Sequence, residues 1–424
     1  MALPPDATQQ PQQQDRLAAE APSRLGAFGY REFRLLWFGL LVSNTGSWMA
    51  TLAQGWLVVG LSPSPALAPF YLGLVGFVRS VPVFLLSGLA GTIADRVDRR
   101  RILIISQVVL GVSSLGLAVL TQLHAVRIWH VLILAGLSAA ALSFDAPTRQ
   151  SLVPSLVGKR ELMNAIGLNS AAFNGPAIVG PAIGGVLVGA VGIDWCFYLN
   201  ALSYGGVLVA LAMMTPKPAV AVPERPGIWH EMWEGLQYVR SHAGVLSIFL
   251  IATVVAVVAR PYIQLLPAFV KTVMQGGPKA LGLTMAASGA GALAGSIATA
   301  LIGLQRKRGL LLIASGGGAG LSLTLFAASR ATAEALPSLV ALGIFVMLFM
   351  GMTNTLLQVH TPLAIRGRVM SLYTMIFLGF MPLGSWLLGS IAAVSSLPKT
   401  LGAAGIAVVV VSGLVLFLRA VPEL

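Results

Sequence analysis

Gly88-Leu89-Ala90-Gly91-Thr92-Ile93-Ala94-Asp95-Arg96-Val97-Asp98-Arg99-Arg100-Arg101 is the stretch that organises this chain. It starts as the tail of an apolar run. It ends in seven residues of which all but Val97 are charged. An apolar segment that stops at a basic cluster behaves like a membrane-crossing helix reaching an aqueous face. The pattern recurs half a chain later. Leu293-Ala294-Gly295-Ser296-Ile297-Ala298 repeats Leu89 to Ala94, and Arg306, Lys307 and Arg308 follow it as Arg99, Arg100 and Arg101 follow the first copy. Pro154 and Arg160 are matched by Pro362 and Arg368 at the same separation. Two echoes at nearly one offset indicate an internal duplication rather than chance likeness among Gly- and Ala-rich helices.

Composition agrees with a membrane setting. The chain has 424 residues, 56% hydrophobic and only 10% charged, where soluble domains carry about 25% charged residues. A soluble core has no use for that much apolar surface. The net charge of +13 is distributed over short gaps between apolar runs, so it reads as the positive-inside bias and not as a nucleic-acid surface. Cys196 is the lone cysteine, which excludes an internal disulfide or a cysteine metal site.

Apolar runs long enough to span a bilayer fall at about 35–59, 69–93, 102–122, 129–146, 166–189, 193–214, 243–268, 280–303, 309–328, 337–358, 369–394 and 399–418. The expected fold is therefore an all-α membrane protein of twelve transmembrane helices in two pseudo-symmetric six-helix bundles. With both termini on one side, twenty of the 27 Lys and Arg residues sort to that side and five to the other, leaving Arg79 and Arg260 inside spans. The basic side is the cytoplasmic side of a cell (inner) membrane. The chain divides into a Gln- and Pro-rich tail at 1–30, bundles at 31–214 and 243–424, and a linker at 215–242. Within the linker, Trp229, Met232, Trp233, Leu236 and Val239 share one helical face, as in a helix lying at the interface. His230-Glu231 begins like a zinc motif but Glu234 stands where its second His belongs.

Polar residues inside spans are the candidates for a substrate. Asn44, Ser47, Trp48, Thr51 and Gln54 form one stripe, facing either a cavity or another helix. Arg260 and Gln264 are four apart, as are Asn354 and Gln358. Arg79 and Arg260 are each costly at mid-span, about 2.5–3.5 kcal/mol on insertion scales. Each either faces the aqueous cavity, where it would attract an anionic or catechol-like substrate, or snorkels to an interface. No Asp or Glu stands clearly at mid-span, no nucleophile–base pair or Walker A sequence occurs, and no cofactor or catalytic residue is expected.

The segment around Gly91 resembles the signature loop of the major facilitator superfamily, Gly-x-x-x-Asp-Arg-x-Gly-Arg-Arg. Gly91, Asp95, Arg96, Arg99 and Arg100 match, and Asp98 replaces the second glycine. Asn174-Gly175-Pro176-Ala177-Ile178-Val179-Gly180-Pro181-Ala182-Ile183-Gly184-Gly185 resembles the antiporter motif Gly-x-x-x-Gly-Pro-x-x-Gly-Gly, matched at Gly180, Pro181, Gly184 and Gly185. Together with Phe144-Asp145-Ala146-Pro147-Thr148-Arg149 and Arg31-Glu32-Phe33-Arg34-Leu35-Leu36-Trp37, these segments look most like the enterobactin-exporter group, which includes siderophore and macrolide exporters. The resemblance implies alternating access around a midplane site, with helices one, four, seven and ten lining the pathway. It implies gating roles for the two motifs, and Asp145 as a partner of Arg99 or Arg100. It also implies export of a small molecule by proton antiport. An uptake carrier and a non-transporting membrane sensor are the alternatives. Lipid, a small-molecule substrate and protons are the expected partners, and the chain is expected to act as a monomer.

Overall fold

A computed structural model describes residues 26–418 and 421, apart from 97, 159, 215–227 and 303–306. The side chains of 87–96, 151, 154, 155, 228–231 and 378 also lie outside the description. After a short 3-10 turn, Gly26–Gly29, the helices are α1 Arg31–Leu61, α2 Ala68–Arg96, α3 Arg99–Gln122, α4 Ile128–Leu156, α5 Leu162–Asn174, α6 Pro176–Ala190, α7 Ile193–Met213, α8 Ile228–Ser241, α9 Ala243–Val254, α10 Tyr262–Thr272, α11 Pro278–Ile302, α12 Arg308–Ala328, α13 Thr332–His360, α14 Leu363–Met375, α15 Met381–Val394 and α16 Leu397–Phe417. The described residues contain no strand.

Ten helical segments have the length and apolarity to cross a membrane, taking α5 with α6 and α9 with α10 as continuous segments. The segment α14–α15 and α1 are not among these ten. Asn44, Thr45, Ser47, Thr51 and Gln54 dilute the apolarity of α1, although its 31 residues extend about 46 Å at 1.5 Å per residue.

Prolines shape the broken segments. Five-residue π turns, Val255–Ala259 and Ile376–Phe380, interrupt the seventh and eleventh apolar runs. Each leads into an X-Pro step, Arg260-Pro261 or Met381-Pro382. Proline has no N–H, so the carbonyl four residues earlier loses its helical partner. Such carbonyls must be satisfied from neighbouring helices inside a membrane. Pro176 frees the Ala172 carbonyl, and Asn44 Nδ2 donates to it at 2.9 Å. Pro181 frees the Ala177 carbonyl, and Gly289 lies so close that a Cβ there would stand 2.6 Å from that oxygen. Pro261 frees the Val257 carbonyl, which lies against Gly384 in the same way.

Asp98 begins α3. Its Oδ1 accepts from the Arg100 N–H at 2.9 Å, so it acts as an N-cap at the position where the resemblance led to a glycine. The helix expected in the linker is α8. It packs on α14 rather than lying alone: Gly235 sits against the Arg368 backbone, Glu234 pairs with Arg368, and Tyr238 Oη donates to the His360 carbonyl at 3.1 Å.

Helix packing repeats between the first and second halves of the chain. α2 packs on α4, and α11 on α13. α3 packs on α4 and α7, and α12 on α13 and α16. Two further pairs join the halves, α2 with α15 and α6 with α11.

Candidate functional site

A cavity forms where α1, α2, α10 and α11 meet. Thr51, Gln54, Gly55 and Val58 line it from α1, Leu72, Val75 and Arg79 from α2, Ile263, Gln264 and Pro267 from α10, and Met285 from α11. It holds about 350 Å³ of empty space, its opening to solvent included. Its polar lining is Thr51, Gln54, Arg79 and Gln264. Arg79 Nη2 donates to Gln54 Oε1 at 2.5 Å. Gln264 Nε2 donates to the Leu72 carbonyl at 3.3 Å, tying α10 to α2 across the cavity. Among the described residues no carboxylate bonds Arg79.

Two matched seams hold the halves together beside this cavity. A Cβ on Gly185 of α6 would stand 2.7 Å from the Pro278 carbonyl and 2.9 Å from the Gly282 Cα of α11. A Cβ on Gly282 would stand 2.6 Å from the Pro181 carbonyl. The second seam copies the first. Gly389 of α15 lies against the Pro69 carbonyl and the Gly73 Cα of α2, and a Cβ on Gly73 would stand 2.5 Å from the Ser385 carbonyl. Only residues without side chains allow helices this near, which is how small residues mediate packing in membranes. α1 and α10 also meet through Lys271 Nζ, 5.3 Å from the Trp56 ring centre.

The antiporter-like segment thus works on two faces. Gly185 and Pro181 meet α11. Gly180 meets α1, where a Cβ would stand 2.6 Å from Trp48 Cβ and 2.7 Å from the Thr45 carbonyl, and Gly184 packs on Met49.

The remaining candidates are dispersed. Trp48 is held against Gly180, and Asn44 bonds α5; neither lines the cavity. Asn354 and Gln358 bond one another, Gln358 Nε2 donating to Asn354 Oδ1 at 2.6 Å. Arg260 lies at the end of the first π turn, its guanidinium carbon 5.7 Å from the centre of the Phe377 ring in the second. Cation–π attraction across the two π turns accounts for that placement.

Gly91, Asp95 and Arg96 fall in α2, but their side chains lie outside the described residues. Arg100 Nη2 donates to the Ala212 carbonyl at the end of α7, at 2.9 Å. Asp145 is buried, and its bonds go to neither Arg99 nor Arg100. Gln107 Nε2 donates to its Oδ1 at 2.7 Å, and Arg149 Nη2 stands 3.1 Å from its Oδ2. The pair is local because residues four apart share a helix face. Arg149 also covers the Phe173 ring of α5 at 4.6 Å.

The sequence placed Arg79 inside a span, facing a cavity or an interface, but gave it no partner, and it did not mark Met285 or Pro267. The Arg79 signal was available. In a helical hairpin turning at 62–67, Gln54 lies seven residues from the end of α1 and Arg79 eleven from the start of α2. That is a depth difference of about 6 Å, within reach of an arginine.

A family described as transmembrane secretion effector matches residues 22–424. The chain is 27% identical to the staphyloferrin A transporter of Staphylococcus aureus over 61% of its own length and 63% of that protein's. It is 24% identical to macrolide efflux protein A of Streptococcus pyogenes, covering 83% and 87%, and 23% identical to the enterobactin exporter EntS of Salmonella choleraesuis, covering 77% and 78%. In fold it is similar to a D-xylose–proton symporter, with a TM-score of 0.68 at 15% identity over 93% of this chain and 98% of that one. With apolar helices of spanning length, a cavity between paired halves and this match over nearly its whole length, the chain belongs to the transmembrane secretion effector family of major facilitator transporters and is a multi-pass membrane transporter, not an enzyme.

Proposed function

We propose that the protein exports a small molecule by alternating access, with proton antiport as the drive. Twelve spans form two six-helix bundles, 31–214 and 243–424, joined by the linker 215–242, with both termini in the cytoplasm of a cell (inner) membrane. The observation that carries this reading is the cavity bounded by both halves and flanked by paired glycine seams. The seams lie at the Lys- and Arg-poor end, so cargo enters from the basic, cytoplasmic side while they are closed. Rocking of one bundle against the other then opens them. Efflux-type relatives, named for a siderophore and a macrolide, favour cargo of that size. Arg79, Gln54 and Gln264 meet the cargo; Asp145, held by Gln107 and Arg149, is the carboxylate through which proton binding acts. The protein works as a monomer.

Transport into everted membrane vesicles, with and without an imposed proton gradient, tests this. Cargo accumulation that requires an acidic interior is expected. Accumulation in right-side-out vesicles instead would show an uptake carrier.

A further inference from the structure

We propose that the Arg79 cavity is an anion-binding subsite, and that the cargo presents an acidic oxygen, carboxylate or phenolate, to it. This rests on the transport reading above and names the chemical class of its cargo. A guanidinium stays charged in any protein environment. Among the described residues, Gln54 is the one side chain bonding Arg79, and it uses one of five N–H donors. Every other lining side chain is uncharged. The described residues offer one carboxylate well inside a spanning helix, Asp145, and Gln107 and Arg149 already engage it.

The donor inventory has the same sign. Gln54 turns its oxygen to Arg79, which leaves its amide N–H groups as donors. Gln264 turns its amide N–H to Leu72. Two further cations lie over rings and outside the lining, Lys271 over Trp56 and Arg260 over Phe377. A cationic cargo would approach uncompensated positive charge in a medium of low dielectric, where repulsion is strong. A neutral cargo would leave the guanidinium charge unbalanced. An oxyanion supplies both the countercharge and acceptors for a fork of N–H donors.

The test uses the purified full chain in detergent at constant ionic strength, with three probes of one shape: benzoate, benzamide and benzylamine. Saturable thermal stabilisation by benzoate alone is expected. Arg79→Lys should retain it, and Arg79→Gln should weaken it about tenfold or more, the range for a charged hydrogen bond. Gln54→Glu places a carboxylate beside Arg79, so it should abolish benzoate binding while raising the melting temperature. Equal stabilisation by benzamide would overturn the proposal. So would undiminished benzoate binding in a folded Gln54→Glu or Arg79→Gln protein. If either occurs while everted vesicles still accumulate cargo, the anionic class is wrong and export stands.

Discussion

Arg79 Nη2 donates to Gln54 Oε1 at 2.5 Å, joining α1 and α2 at the edge of a cavity shared by both halves. A buried guanidinium is costly without partners, so this bond makes an arginine tolerable in a span and aims it at the cavity. Gln54→Leu should therefore lower the melting temperature in detergent, by the equivalent of about 1.5–3 kcal/mol for a hydrogen bond to a charged group. Transport should fall with it. An unchanged melting temperature would mean that Arg79 finds water instead.

The glycine seams set the distance between halves. Gly185→Leu drives a side chain into the Pro278 carbonyl and the Gly282 Cα. Overpacking typically costs about 1–3 kcal/mol, and here the strain is relieved by parting α6 from α11. Gly185→Leu should abolish cargo turnover while the protein still reaches the membrane. Gly389→Leu, at the copied seam, should do the same. Normal turnover in both would remove the seams from the transport cycle.

Asn44 has a role that a double-mutant cycle can isolate. Asn44→Ala leaves the carbonyl freed by Pro176 without its donor. A loss of about 1 kcal/mol is expected, near the upper part of the range for interhelical hydrogen bonds in membranes. Pro176→Ala returns an N–H to the same carbonyl, so the double variant Asn44→Ala/Pro176→Ala should regain most of the loss. Additive losses would place the role of Asn44 elsewhere.

Asp145 and Arg149 are buried together. Removing one charge of a buried pair costs about 3–5 kcal/mol because the other stays uncompensated. Arg149→Leu should destabilise strongly, and Asp145→Asn in that background should restore part of the stability. A single Arg149→Leu variant melting like wild type would show the pair to be water-exposed.

Much of the architecture was legible in the sequence because bilayer thickness and charge bias act on composition alone. The repeat read from Leu89–Ala94 and Leu293–Ala298 was the visible part of a larger one. Gly180 and Gly185 recur 204 residues later as Gly384 and Gly389, and Pro69 with Gly73 recurs as Pro278 with Gly282. Short Gly and Pro patterns are common in membrane helices, so their meaning appears only once Gly185 faces Gly282 and Gly389 faces Gly73. The π turns were hidden for a related reason. A proline in a span marks a bend, but its spacing does not say which neighbour satisfies the freed carbonyl. At the candidate site, Gln54 and Gln264 stood out as polar residues in spans. Spacing along one helix could not separate them from Asn44, which bonds α5, or from Asn354 and Gln358, which bond each other.

Alternating exposure of the cavity is the central claim, and Thr51 on its wall reports it directly. Cys196 is the lone cysteine and is buried, so Thr51→Cys in a Cys196→Ala background gives a single reporter. A membrane-impermeant thiol reagent should label it from the cytoplasmic face of everted vesicles and leave it unlabelled from the outer face of intact cells. Adding Gly185→Leu should reverse that preference. Labelling from both faces at once, or a side preference that Gly185→Leu leaves untouched, would contradict a cavity gated by the glycine seams.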